Sequence, residues 1–207
     1  MHGPLLPLLA AVAVSCIMMG GPSQAADPRY PDWPCVQAKV PEISVAAIWA
    51  GPPIDDVEKA WESDAAVKEL IPRLAARRVP IENAERHIAE FIAGNPIERE
   101  QKGKLLFAGL LDRLNRERSE VMDGIERLGR RMRDVAEHIR NDISELQKRQ
   151  NAANPDKTKL QEITTRVEWN TRIFDDRRKT MRYVCEVPTL IEQRLFALSR
   201  AVQRAIE

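Results

Sequence analysis

Catalytic and metal chemistry have little to work with in this chain. Its three histidines are His2, His87 and His138. None has a cysteine, a second histidine or a paired carboxylate at ligand spacing. Glycine is sparse and forms no phosphate-cradling loop. A Cys-x-x-Cys pair is absent, which excludes the usual dithiol redox chemistry. Of Met122, Met132 and Met181, two fall on a helical apolar stripe and read as core, not as copper ligands. The carboxylate pairs Asp55-Asp56 and Asp175-Asp176 are sequence neighbours, and adjacent helical residues point apart, so neither is an acid–base dyad. No catalytic residue, metal site or cofactor follows, and the chain reads as a non-enzyme.

A charge excess is missing too. The net charge is +1, whereas nucleic-acid binders carry a strong basic surplus; nucleic acid is therefore not an expected partner. Long apolar runs are also scarce. The one candidate, Leu5 to Met19, is roughly 15 residues and short for a bilayer anchor. It leads into Ser23-Gln24-Ala25, with small residues at the −3 and −1 positions, so residues 1–25 read as a signal peptide cleaved after Ala25. Its start lacks Lys and Arg. Ala13-Val14-Ser15 lacks the leucine that lipoprotein processing at Cys16 requires, and the apolar run continues past that cysteine. The expectation is an exported protein of a bacterial periplasm, with no membrane span left after processing.

What remains is about 180 residues, a one-domain length. Two cysteines remain in it, Cys35 and Cys185, and an oxidising compartment pairs them. Such a bond closes a loop of about 150 residues, worth roughly 4–5 kcal/mol on chain entropy.

Residues 26–53 are rich in proline (Pro28, Pro31, Pro34, Pro41, Pro52, Pro53) and carry Trp33 and Trp49 among apolar residues. Proline keeps the stretch extended. It reads as a strap lying across a helical body and pinned by Cys35. Three short helices are expected over 54–96. Asp55-Asp56 would cap one through Glu62, with Trp61 on its apolar side. Ser63-Asp64 would open the next, running to Arg78 with a kink or split at Pro72. Pro80 would precede the third, which carries Ala84, Ile88, Phe91 and Ile92 in one stripe and stops at Gly94-Asn95-Pro96.

The span 97–207 has a different grammar. Phe107, Leu111, Leu114, Val121, Ile125, Leu128, Met132, Val135 and Ile139 repeat in steps of three and four, apart from a seven-residue step over Arg118. Ile143 and Leu146 extend the seam with one slip. After a turn near 151–156, Leu160, Ile163, Val167, Phe174, Met181, Val184, Ile191, Leu195, Leu198 and Val202 repeat likewise. Pairing residues whose numbers sum to about 306 sets apolar against apolar throughout. The fold class expected is all-α: a long antiparallel coiled-coil hairpin, a short-helix bundle at its base and the strap. Arg118 falls opposite Pro188 in this register, and a proline kink would free a carbonyl for it. Broad apolar stripes at the base imply burial by further helices. Toward the turn only the seam is apolar, so a bare arm of roughly 45–50 Å beyond Cys185 is expected.

Two candidate sites follow. Arg127, Arg130, Arg131 and Arg133 on the outgoing helix, with Arg177 and Arg178 on the return, form a basic collar suited to an acidic protein or an anionic envelope component. Trp33, Trp49, Trp61 and Arg118 would line any pocket at the base. The leading expectation is an envelope scaffold that presents its hairpin to a partner or to a second copy. A client-gripping periplasmic chaperone is the alternative, and a small-ligand-binding module the third.

Overall fold

The computed structural model describes residues 27–207; the expected signal peptide, with Cys16, lies outside them. Among the described residues every regular element is helical. After α1 (Val45–Ile48) and a single 3-10 turn (Ala60–Ser63) come α2 (Ala65–Ala75), α3 (Ile81–Ile92), α4 (Pro96–Gln150) and α5 (Lys157–Ile206).

The two long helices, 55 and 50 residues, form the antiparallel hairpin. Each starts where the sequence supplies an acceptor for an orphan amide. Asn95 accepts from the Glu98 amide at 3.0 Å, with Pro96 in the first turn, and Asp156 accepts from the Lys159 amide at 3.1 Å. Asp64 caps α2 through the Val67 amide at 2.9 Å.

The main core fills the base. Leu106, Phe107, Leu110 and Leu114 of α4 meet Ile191, Leu195, Leu198 and Val202 of α5, and Leu74, Ile88 and Ile92 close it from α2 and α3. Arg194 fastens this corner: its guanidinium donates to the Leu74 carbonyl at 2.6 and 2.8 Å and to the Val79 carbonyl at 2.9 Å. The Leu74 carbonyl is one that the end of α2 leaves without an intrahelical donor, and Val79 lies in the turn leading to α3. A smaller core gathers Ile125, Met181 and Cys185 with Trp33, Val121, Leu128 and Met132, and the Cys35–Cys185 disulfide sits in it. Ile125 and Met181, and likewise Val121 and Cys185, are partners in the register that sums to 306.

Several local expectations give way. Asp55-Asp56 caps no α-helix. Residues 54–60 form tight turns, with the Val57 amide on the Ile54 carbonyl (2.9 Å) and Ala60 on Val57 (3.0 Å), while the Asp56 carboxylate is taken by Lys104 at 2.7 Å. α2 stops at Ala75, short of Arg78, and Pro72 does not split it; in the last turn the amide that proline lacks would have met the carbonyl of exposed Lys68, which water can satisfy. The strap is not wholly extended, because α1 interrupts it. Near the turn the seam passes through Asp142, not Ile143. Ile143 is 39% exposed while Ile163 is fully buried. Asp142 continues the three-four spacing from Ile139 to Leu146, and its carboxylate takes a two-pronged bond from Arg166 at 2.6 and 2.9 Å. None of the described helices is long and apolar enough to cross a membrane.

Candidate functional site

The strap runs antiparallel to α4, and one face of α4 holds it. Arg133, Arg130, Glu126, Arg118 and Asn115 receive it in turn. Arg130 Nη1 bonds Asp32 at 2.8 Å, and Arg133 takes the other oxygen of the same carboxylate and the Pro31 carbonyl at 3.3 Å. The Arg130 bond, ahead of Arg133's, holds the Asp32 carboxyl below the usual carboxylate range despite some desolvation. Lys39 pairs with Glu126 at 2.6 Å and lies 4.9 Å from the Tyr30 ring centre. Asn115 uses its amide as a neighbouring strand would: Oδ1 accepts from the Ile43 amide and Nδ2 donates to the Ile43 carbonyl, both at 3.0 Å. Gly129 makes room for this approach, since a Cβ there would stand 2.8 Å from the Asp32 carbonyl.

Arg118 departs from its expected role. It is 4% exposed and donates to the Val40 and Pro41 carbonyls of the strap, with Glu192 at 3.9 Å. Burial lowers its pKa, Glu192 opposing. The carbonyl that the strap reaches near Pro188 is that of Cys185, which takes a bond from Gln37 Nε2. Periodicity could place Arg118 in the seam but could not show the strap passing beside it.

The four proposed pocket residues lie in different surroundings. Trp49 is buried, stacks on Phe107 with centroids 4.0 Å apart, and donates Nε1 to the Pro52 carbonyl at 2.7 Å. Trp33 packs beside the disulfide. Trp61 borders a shallow groove of about 260 Å³, whose other lining includes Glu42, Asp55, Glu58 and Asp112. That volume is at or below the low end for small-molecule sites, roughly 300–1,000 Å³.

The six collar arginines also separate. Arg130 and Arg133 are spent on Asp32, and Arg178 leans toward Asp175 at 3.7 Å. Arg127, Arg131 and Arg177 are exposed and make no ion pair among the described residues. The strap therefore covers α4 up to Arg133, which shortens the bare arm. Among the described residues the last 17 residues of α4, about 25 Å, stand beyond it, and there the hydrogen bonds between separate parts of the chain join α4 to α5.

The chain matches no protein-family model, no curated protein and no solved structure.

One feature escaped the seam reading altogether. Trp169 and Tyr183 of α5 are 61% and 70% exposed, and Leu190 is 46%. They are 14 and 7 residues apart, so they share one outward face of the helix. Their heptad spacing off the seam was the available signal.

Proposed function

We propose that this chain is a non-enzymatic interaction protein of the cell envelope, exported to the periplasm, whose braced helical hairpin is offered to a partner. One observation carries the reading. An exposed aromatic face, Trp169 with Tyr183, runs along a hairpin whose opposite flank is fastened by a disulfide-pinned strap. Trp169 and Tyr183 stand about 21 Å apart along α5 and offer two exposed apolar anchor points on one face. A rigid presenter also loses little conformational entropy when bound. The disulfide and the lack of an apolar spanning helix among the described residues are compatible with export. A chaperone requires an open apolar cleft. Here Ile125, Ile163 and Met181 are buried in the closed seam, which favours presentation over client gripping.

Photo-reactive side chains placed singly at Trp169, Tyr183 and Ile143, and at Ile97 on the base, test this in the native envelope. Adducts from the arm positions with none from Ile97 are the expected result. Adducts confined to Ile97, or none at any site, would refute it.

A further inference from the structure

The groove at the hairpin base gathers unpaired charge of one sign. It lies where the strap and residues 54–63 both cross α4, and its volume is about 260 Å³. Its apolar lining comes from Ile54, Trp61, Ala108 and Leu111. Both of its sides are fixed to α4. On one, Asn115 holds the Ile43 backbone by two hydrogen bonds of 3.0 Å, which sets the neighbouring Glu42 at the rim. On the other, Trp61 lies against Gly109, where a Cβ would stand 3.0 Å from the ring. A site fixed in advance loses little conformational entropy when it is filled.

Glu42, Asp55, Glu58 and Glu62 line the groove, are exposed, and make no ion pair among the described residues. Asp112, the fifth carboxylate, is taken by Arg116. Lys59 is the single cation among the described lining residues. Lys104, one turn before Ala108 on α4, is held by Asp56 at 2.7 Å. Four open carboxylates therefore stand against one free positive charge.

These features select the occupant. An anion would meet repulsion. The carboxylates are too dispersed for a metal ion: among the described residues no three His, Cys, Asp or Glu side chains gather as one requires. The volume falls below the roughly 300–1,000 Å³ of drug-sized ligands and suits one long side chain. Dispersed carboxylates around an aromatic and aliphatic lining match a cation on an apolar stem. Arginine fits best, because its planar guanidinium bonds carboxylates and packs on an indole. Free arginine would bring its own α-carboxylate to an acidic rim, whereas an arginine within a chain brings none.

We propose that this groove receives an arginine side chain from a basic segment of a partner protein, its stem against Trp61 and Leu111 and its guanidinium among the rim carboxylates. The contact is separate from the aromatic face of α5 and goes beyond the presentation reading.

The probe is an acetylated and amidated peptide, Ala-Arg-Ala-Arg-Ala, titrated into the oxidised, nitrogen-15-labelled protein at about 0.01 M salt, where screening sets in only over about 30 Å. The Trp61 indole N–H resonance should shift saturably while those of Trp33 and Trp49 stay put. The citrulline peptide, neutral and of the same shape, should bind at least about tenfold more weakly. Glu58→Gln with Glu62→Gln should weaken binding about tenfold. Trp61→Leu, read from the backbone amides of residues 58–62, should do the same. Glu120→Gln with Asp123→Asn removes equal charge further along α4 and should change nothing. Circular dichroism checks that the variants stay folded. Absence of a saturable shift, equal binding of the citrulline peptide, or equal weakening by the Glu120 and Asp123 changes overturns the proposal. Displacement of the peptide by less spermidine or free arginine than peptide assigns the groove to a small free cation and also overturns it. The photo-adducts from Trp169 and Tyr183 read a different face, so failure here with those adducts present leaves the presentation reading standing.

Discussion

Cutting the Cys35–Cys185 bond tests whether the strap and the hairpin are one cooperative unit. The bond links residues 150 apart, with Cα atoms at 5.7 Å. For a loop of that length, the chain-entropy relation gives about 17 cal/mol/K, or about 5 kcal/mol at 25 °C. The term acts on the unfolded chain. It stands whether or not Asp32, Lys39 and Ile43 keep their partners on α4 in the reduced protein. Domains of this size lose roughly 2–4 °C of melting midpoint per kcal/mol, so reduction should lower the midpoint by about 10–20 °C. Circular dichroism melts with and without reductant measure this, and a Cys35→Ser, Cys185→Ser variant controls for reductant effects. The noncovalent strap contacts should keep the reduced protein's unfolding a single transition. Coincident midpoints for oxidised, reduced and serine forms would refute the reasoning. Two separate transitions in the reduced form would show that the strap is not part of the hairpin's cooperative unit.

Arg118→Leu should cost about 1–3 kcal/mol, since it strips the donor from the Val40 carbonyl; an unchanged urea midpoint would show that water satisfies that carbonyl equally well. The Asp32 clamp should be pH-sensitive in one direction. Its carboxyl pKa is lowered, so the stabilisation is present above the ordinary carboxylate range and is lost as pH falls through the depressed value. The protection factors of strap amides, their intrinsic exchange rates divided by the rates observed at the same pH, should fall on acidification accordingly, and Asp32→Asn should show low protection at every pH. Replacing the Asp142–Arg166 layer by leucines on both helices should leave thermal stability level or raised by about 1 kcal/mol, because a half-exposed ion pair is worth little and an apolar layer fits the seam. Spin-label distances across the turn would report any loosening of register.

The hairpin was readable because its information is periodic. Val121 with Cys185 and Ile125 with Met181 are set by seven-residue spacing and one turn, so arithmetic recovered both the register and the level of the disulfide. Asp142 was misread because an apolar residue, Ile143, stands next to it; favouring the hydrophobe over the spacing introduced a slip that the helix does not make. Arg118, Asn115 and Gln37 act on backbone carbonyls and amides of the strap, and backbone groups leave no trace in a pattern of side chains. The six collar arginines divide between different surroundings for a related reason. Arg130 and Arg133 differ from Arg127 and Arg131 only in which flank they occupy, and composition does not register where a strap will lie.

The disulfide also orders events in time. The strap is made first, and both surfaces it rests on come later in the chain, α4 up to Arg133 and α5 from Met181. An aromatic, apolar segment must therefore wait, without its platform, until residue 185 has emerged. Among the described residues Cys35 has a single possible mate, Cys185. The arm can close first on local contacts, and the strap then works as a late fastening that records completion of the fold.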